Sequence, residues 1–183
     1  TPNVIRGRGR WRGVLGAERV GYPSIVGTGV NATTLHYDKS RSQLQAGELV
    51  VMDMGAEYGF YSADVTRTIP ASGKFSPRQL SIYNLVLATQ QAAMDSIRPG
   101  ITMGRLGQIS RDYMKAHSGD LCAPGTCDQY YIHGLGHWIG MDVHDVGNYA
   151  TPLAPGMVLT VEPGIYIPAE KLGVRIEDDV VVT

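Results

Sequence analysis

Four acidic residues stand at matched places around two predicted β-hairpins. In the first hairpin, Tyr58-Gly59 has the residue types of a tight turn between two strands. That turn places Asp53 opposite Asp64 on one face of the strands, with Cβ atoms about 5 Å apart. Two carboxylates at that distance repel each other, so we expect a bound cation between them.

A second hairpin near the C-terminus repeats the arrangement. A turn centred between Ala169 and Glu170 pairs Glu162 with Glu177, although its longer loop specifies the register less strongly. Four carboxylates balance the charge of two divalent cations, which lie about 3.5–4 Å apart in dinuclear hydrolytic sites. The spacing therefore predicts a dinuclear metal site.

Each acid taken alone has another explanation, which is solvation at the surface or a local salt bridge. The apolar neighbours Val51 and Met52 predict that Asp53 is buried, and a buried carboxylate needs a partner. Asp64 has Arg67 nearby as a salt-bridge partner, so for Asp64 this alternative stays open.

The chain also has five histidines, namely His36, His117, His133, His137 and His144. His133 and His137 share the i, i+4 spacing of helical zinc sites, but the glycines between them oppose a helix. Gly134 also stands where a His-Glu-x-x-His protease needs its glutamate. His117 follows a predicted helix and is explained as a charge at its C-terminal end. We expect the other four to supply one metal ligand and polar groups around it.

Strand-rich segments enclose two predicted helices. The helix-start residues Ser76, Pro77 and Gln79 predict one helix up to residue 98, and Thr102 opens another that ends before Gly119. Strands are predicted over 24–30, 33–37, 49–54, 60–69, 157–161, 164–167 and 174–182. The fold class is therefore α+β.

The composition describes a globular domain of 183 residues with a formal net charge of −1 and 43% hydrophobic residues. A net charge so near zero excludes binding to polyanions through bulk charge. No apolar run is long enough to span a membrane, and the sequence shows no secretion signal. We therefore expect a cytoplasmic protein. That setting favours free thiols at Cys122 and Cys127, although the sequence leaves open whether the two cysteines are bridged.

Residues 1–20 differ from the rest of the chain because arginines alternate with glycines between Arg6 and Gly13. Such a tract is typical of nucleic-acid-binding tails and of solvated chain ends. We favour the solvated end, so nucleic acid is disfavoured as a partner. Binding that disappears when residues 1–13 are removed would reverse that preference.

Several segments resemble the pita-bread metallopeptidases, specifically the aminopeptidase P and prolidase branch. They are Tyr22-Pro-Ser-Ile-Val26, Leu35-His-Tyr37, Met52-Asp-Met-Gly-Ala56, Ala63-Asp-Val-Thr-Arg67, His133-Gly-Leu-Gly-His137, Asp142-Val-His-Asp-Val-Gly147, Val161-Glu-Pro-Gly-Ile-Tyr166 and Val174-Arg-Ile-Glu-Asp178. The segments run in order from about residue 21 to the C-terminus. The resemblance implies a pita-bread, creatinase/aminopeptidase-like catalytic domain.

The resemblance also implies a role for each site residue. The implied metal ligands are Asp53, Asp64, His137, Glu162 and Glu177. Glu162 would shuttle a proton, and His144 would stabilise the tetrahedral intermediate. His36 and His133 would line the substrate site with His144, while Arg175 would hold a carboxylate or a water beside the substrate.

The implied reaction is metal-dependent hydrolysis of the peptide bond before proline, which releases the N-terminal residue of Xaa-Pro peptides or dipeptides. The carboxylate-rich ligand set favours Mn²⁺ over Zn²⁺, Co²⁺ or Fe²⁺. The alternative is a non-catalytic or truncated pita-bread module that binds peptides or proteins. Such modules usually lose metal ligands, and all five ligand positions are intact here.

In this family each half of the fold contributes a helix pair and then a hairpin, and the Arg/Gly tract stands where the first helix pair would finish. We therefore predict a partial catalytic domain over 21–183 that lacks its first helix pair. Apolar side chains such as Ile25, Val26, Val50 or Val51 would then be exposed on one sheet face. We expect such a chain to be unstable or to form a homo-oligomer through that face.

Overall fold

The computed structural model describes residues 16–183, which form ten short β-strands and two α-helices. The strands are β1 Arg19–Val20, β2 Ile25–Thr28, β3 Leu49–Asp53, β4 Ala56–Tyr58, β5 Tyr61–Ser62, β6 Thr66–Pro70, β7 Val158–Val161, β8 Gly164–Ile167, β9 Leu172–Arg175 and β10 Asp178–Val181. The helices are α1 Pro77–Met94 and α2 Met103–Ala116. Most of the Arg/Gly-rich segment, with the place predicted for the first helix pair, lies outside the described residues.

Both helices begin where the sequence predicts. Ser76 Oγ accepts a hydrogen bond from the Gln79 amide, and the Gln79 side chain accepts one from the Ser76 amide, which completes a capping box. Thr102 Oγ1 accepts from the Arg105 amide at the start of α2. Helix α1 ends at Met94 rather than at residue 98, because the backbone continues in tighter turns with i, i−3 hydrogen bonds.

The strands form two hairpins that are joined along one edge. In the first hairpin β3 pairs with β6 and β4 with β5, while β2 and β1 each add an outer strand. In the second hairpin β7 pairs with β10 and β8 with β9. Thr68 Oγ1 donates to the Arg175 carbonyl at 2.9 Å and accepts from the Arg175 amide at 3.1 Å, so β6 lies beside β9.

The second hairpin has the predicted register. Gly164 pairs with Arg175 and Val161 pairs with Asp178, so Glu162 and Glu177 occupy facing positions between these pairs. The prediction is confirmed even though the connecting loop contains the 3₁₀ turn Pro168–Glu170.

The predicted register of the first hairpin is wrong, because Asp53 pairs with Thr66 and not with Asp64. The turn is formed by Gly59 and Phe60, whose φ angles are 54° and 71°. Positive φ at both central residues is what a type I′ hairpin turn requires. The turn therefore lies one residue later than predicted, and the partner of Asp53 moves by two positions. A shift of two keeps Asp64 on the same face as Asp53, as its diagonal neighbour.

Two local predictions are also wrong. Residues 33–37 do not form a strand, because Gly29, with a φ of 56°, turns the chain into the 3₁₀ turn Gly29–Thr33 after β2. Cys122 and Cys127 form a disulfide instead of being free thiols. The turn between the two cysteines brings their Cα atoms to 5.1 Å, within the range that a disulfide spans.

The apolar core lies between the helices and the second hairpin. One cluster joins Ile82, Leu85 and Val86 of α1 to Ile165, Ile167, Leu172 and Val174 of the hairpin, and another joins Leu106 of α2 to Leu159 and Val161. Neither described helix is both long enough and apolar enough to cross a lipid bilayer.

The predicted exposure of the first sheet is wrong for Ile25, Val50 and Val51, which are only 8%, 4% and 2% exposed. Ile25 and Val51 lie on the face that looks toward the second hairpin, because side chains alternate along a strand. On the opposite face Val26 is half-buried and Ile69 is 45% exposed. That outer face is thus partly open.

Candidate metal centre

Each of the four predicted acids lies where a hairpin ladder is interrupted. Asp53 is the last residue of β3, and Asp64 lies between β5 and β6. Glu162 lies between β7 and β8, and Glu177 lies between β9 and β10. Each acid thus lies on a different arm of a hairpin, at the point where one strand of that arm ends and before the next strand begins.

Backbone amides at these interruptions bond across to the other hairpin. The Asp64 amide donates to Asp179 Oδ2 at 3.0 Å, and the Glu177 amide donates to the Thr66 carbonyl at 3.1 Å. Because both bonds connect the two hairpins, they bring the two pairs of acids together.

The first pair of acids meets at a tyrosine. The hydroxyl of Tyr22 lies within hydrogen-bonding distance of Oδ1 of both Asp53 and Asp64. A phenol has one hydrogen to donate, so Tyr22 cannot satisfy both carboxylates by itself. Arg175 Nη2 donates to the other oxygen of Asp53 at 2.6 Å, and the Arg175 side chain is 4% exposed. Burial nevertheless raises the pKa of Asp53 above its usual value.

The second pair combines a buried Glu177 with a half-buried Glu162 and has less hydrogen bonding. Glu177 Oε2 accepts from Thr66 Oγ1 at 2.6 Å, whereas Glu177 Oε1 is buried and has no hydrogen-bond partner. Burial, followed by the nearby charge of Glu162, raises the pKa of Glu177 to about 10. Burial also raises the pKa of Glu162 to about 7. Such carboxyls need a proton or a cation to remain in the interior.

His137 faces the acids with one ring nitrogen. Its Nδ1 lies 3.0 Å from the Trp138 carbonyl, which assigns the ring proton to Nδ1 and leaves Nε2 as an acceptor or ligand. Nε2 lies 3.5 Å from both Asp64 Oδ2 and Glu162 Oε1. Burial by itself would lower the pKa of His137, but the contact with Asp64 outweighs that effect and raises the pKa.

The glycine before His137 is required by packing. A Cβ on Gly136 would lie 2.0 Å from the Thr160 carbonyl oxygen. The His137 amide and carbonyl both bond to Thr160, so this close approach seats the imidazole against β7. The glycines of the His-Gly-Leu-Gly-His segment thus serve a non-helical backbone, as the sequence predicts.

The donor atoms of these residues fit divalent cations. Three overlapping groups bring their donor atoms within 4.8 Å of one another: Asp53, Asp64 and Glu177; His137, Glu162 and Glu177; Asp64, His137 and His144. Carboxylate oxygens with one imidazole form the ligand set of Mn²⁺ and related ions. The unpartnered Glu177 Oε1 and the doubly contacted Tyr22 hydroxyl are consistent with missing positive charge at this place.

All nine residues singled out in the sequence line one cavity of about 330 Å³. Besides the five predicted ligands, its walls contain His36, His133, His144 and Arg175. The His144 ring lies 4.0 Å from the His137 ring and 6.1 Å from the His36 ring, measured between centroids. Burial lowers the pKa of His133 to about 4, so this imidazole is neutral at neutral pH.

The sequence did not assign roles to Tyr22, Thr66, Tyr166 and Asp179, which all contact the acids or their partners. The Tyr166 hydroxyl lies 2.8 Å from His133 Nε2 and accepts from Arg175 Nη1 at 3.2 Å. Tyr22 and Tyr166 belong to recognised sequence segments. Their contacts lie in distant parts of the chain, so spacing alone could not identify them.

The chain is similar to known metallopeptidases over nearly its whole length. The model of metallopeptidase family M24 matches residues 5–183. The chain is 38% identical to the Xaa-Pro aminopeptidase of Escherichia coli over 92% of its own length and 43% of that relative. It is 40% identical to the Xaa-Pro dipeptidase of Pyrococcus furiosus over 92% of its length and 47% of that relative.

The fold is similar to that of solved structures. Proline aminopeptidase P II from Yersinia pestis superposes with a TM-score of 0.84 at 39% identity, covering 94% of this chain and 45% of that one. The chain therefore spans less than half the length of these relatives.

Proposed function

Because the chain belongs to metallopeptidase family M24, we propose that it hydrolyses the peptide bond before proline with two divalent metal ions. It would release the N-terminal residue of Xaa-Pro peptides. Membership of this family confirms the resemblance and the pita-bread fold class expected from the sequence. The activity is a proposal for this chain because the relatives that carry the peptidase names are more than twice as long.

The observation that carries the proposal is the cluster of four acids, three of them buried, around one buried imidazole. Asp53, Asp64, His137, Glu162 and Glu177 would hold the cations, and Mn²⁺ is the ion that we favour over Zn²⁺, Co²⁺ or Fe²⁺. Bound there, the ions would polarise the scissile carbonyl and lower the pKa of a water molecule.

The protein groups supply proton transfer and orientation. Glu162 Oε1 lies 3.5 Å from His137 Nε2 within the acid cluster, where the carboxylate can take up and release a proton. His144 lies at the cavity wall beside His137, where it can donate to oxygen that gains negative charge in the transition state. His36 and His133 line the space left for the peptide.

Arg175 has the contacts of a residue that holds a carboxylate. Its guanidinium is bonded to Asp53 and Tyr166, which supports the first of its two expected roles. We therefore propose that Arg175 orients Asp53 and acts on the substrate through that carboxylate and Tyr166.

The proposal also covers the location of the protein and its assembly. The cytoplasmic location stays a prediction, and the Cys122–Cys127 disulfide is more typical of oxidising compartments. A relative from Arabidopsis thaliana is named as a mitochondrial intermediate cleaving peptidase. Association of copies through the partly open outer face of the first sheet also stays a prediction.

The test combines metal content with a matched peptide panel. We expect about two Mn²⁺ per chain after chelation and reloading, because four carboxylates balance two cations. The reloaded protein should cleave Xaa-Pro-Xaa peptides and leave matched Xaa-Ala-Xaa peptides intact. A folded protein that binds no metal would contradict the proposal. Metal binding without hydrolysis would favour a peptide-binding module, and equal cleavage of both peptides would refute the specificity for proline.

A further inference from the structure

One arginine outside the cavity holds the backbone of a segment that forms its wall. Arg111 lies on α2 and donates to two carbonyls, to Tyr131 at 2.8 Å and to His133 at 2.7 Å. Its guanidinium carbon also lies 4.6 Å from the centre of the Tyr131 ring. Arg111 is not among the residues that line the cavity. Its hydrogen bonds therefore hold the 131–133 backbone against α2 from outside the cavity.

The segment held by Arg111 presents His133 to the cavity in one orientation. His133 Nδ1 lies 2.8 Å from the Gly134 carbonyl, an acceptor only, so Nδ1 carries the proton. His133 Nε2 then accepts from the Tyr166 hydroxyl at 2.8 Å. Tyr166 in turn accepts from Arg175 Nη1. The hydrogen bonds thus run from Arg175 through Tyr166 and His133 to the Gly134 carbonyl, and Arg175 also donates to Asp53.

We propose that Arg111 is a positioning residue, which sets the place and orientation of His133 for peptide binding. The role of His133 in peptide binding rests on the proposed peptidase function. The positioning of His133 by Arg111 does not depend on that function. A guanidinium is a planar fork that can bond two carbonyls at once, whereas an ammonium is a single flexible point charge. Because the His133 carbonyl itself is one of the two acceptors, loss of the fork releases the backbone that carries the imidazole.

The test compares Arg111→Met with a matched substitution on the same helix. Arg105→Met removes an exposed arginine from the first turn of α2 and serves as the control. We expect Arg111→Met to lower kcat/KM for Xaa-Pro peptides about ten- to a hundredfold, mainly through a higher KM, because small misplacements of binding groups have effects of that size. Arg111→Lys should recover part of the loss, and Arg105→Met should behave as the wild type.

A double-mutant cycle shows whether Arg111 acts through His133. In a His133→Ala background, Arg111→Met should cause little further loss, because two residues in one network are not additive. Equal losses in both backgrounds, or an Arg111→Met variant with wild-type kcat/KM, would overturn the proposal.

A measurement without activity separates this proposal from the peptidase function. In protein with isotope-labelled histidine, the imidazole resonances of His133 should move in Arg111→Met and stay in place in Arg105→Met. Unchanged His133 resonances in a folded Arg111→Met variant would refute the positioning role. If the wild type hydrolyses no Xaa-Pro peptide while the resonances move as expected, the proposed function fails and the positioning role stands.

Discussion

The two hairpins carry their acids at the same kind of interruption, but different parts of the molecule support them. In the second hairpin, Gln90 of α1 donates to the carbonyls of Val161 and Ile176, at 3.0 and 3.3 Å. One buried side-chain amide thus bonds to both arms, at the residues that precede Glu162 and Glu177.

In the first hairpin the interruption is supported by loops. Tyr22 contacts both aspartates, and the Ser62 amide donates to the Gly140 carbonyl at 2.9 Å. The outer face of this hairpin is partly open, with Ile69 45% exposed. The second hairpin is therefore supported by the helical core, whereas the first is supported by loops from both halves of the chain.

The largest expected effect comes from removing one acid of each hairpin. Asp53→Asn and Glu177→Gln should both reduce hydrolysis of Xaa-Pro peptides to the level of the chelated protein, because each removes a ligand charge. A kinetic assay with Mn²⁺ in excess measures this loss. Full activity in either variant would remove that acid from the proposed metal centre.

The stability of the same two variants without metal sharpens the comparison. Asp53→Asn should destabilise the protein by up to about 3–5 kcal/mol, because it weakens the buried ion pair with Arg175. Glu177→Gln should have little effect at pH 7, since a pKa of about 10 keeps the Glu177 carboxyl protonated and similar to an amide. Thermal unfolding in the presence of chelator measures the stability of both variants. Equal losses of stability would contradict the inference that the two hairpins are supported differently.

A smaller effect is expected from truncating one isoleucine in each hairpin. Ile165 of β8 is fully buried in the core cluster, so Ile165→Ala should destabilise the protein by about 2–5 kcal/mol. Ile69 of β6 is 45% exposed, and Ile69→Ala should cost less than about 1 kcal/mol. Urea unfolding compares the two variants. A cost for Ile69→Ala as large as that of Ile165→Ala would show that the outer face is covered in solution.

The smallest expected effect concerns the ion pair that ties the second hairpin to α1. Arg78 Nη2 lies 2.7 Å from Glu170 Oε1, and this contact lowers the pKa of Glu170. A lowered folded pKa means that the stabilisation is present above the ordinary glutamate pKa and is lost as pH falls through the lowered value. Glu170→Gln should therefore destabilise the protein at pH 7 by less than about 1 kcal/mol, and by less still at pH 3.

Glu18, an exposed acid beside β1, provides the matched control. Glu18→Gln should leave the melting temperature nearly unchanged at both pH values. A destabilisation by Glu170→Gln that grows as the pH falls would have the wrong sign for a lowered pKa.

Predictability from the sequence also differs between the hairpins. The facing positions of Glu162 and Glu177 agree with the prediction, which assumed that the second hairpin pairs its acids as the first does. The first turn was placed one residue early, because Tyr58-Gly59 is as good a turn pair by composition as Gly59-Phe60. The left-handed conformation of Phe60 is unusual for an aromatic residue and could not be expected from its type.

The sequence by itself predicted which acids and histidines line one cavity, the α+β class, the starts of both helices and the face on which each acid lies. Capping residues, turn residues and strand alternation act over a few positions and can be recognised locally. Tertiary structure alone decided that Tyr22 joins Asp53 to Asp64, that Arg111 holds the His133 backbone, and that the two cysteines are bonded. These contacts depend on how the chain packs between the motifs, and a local pattern carries no information about that packing.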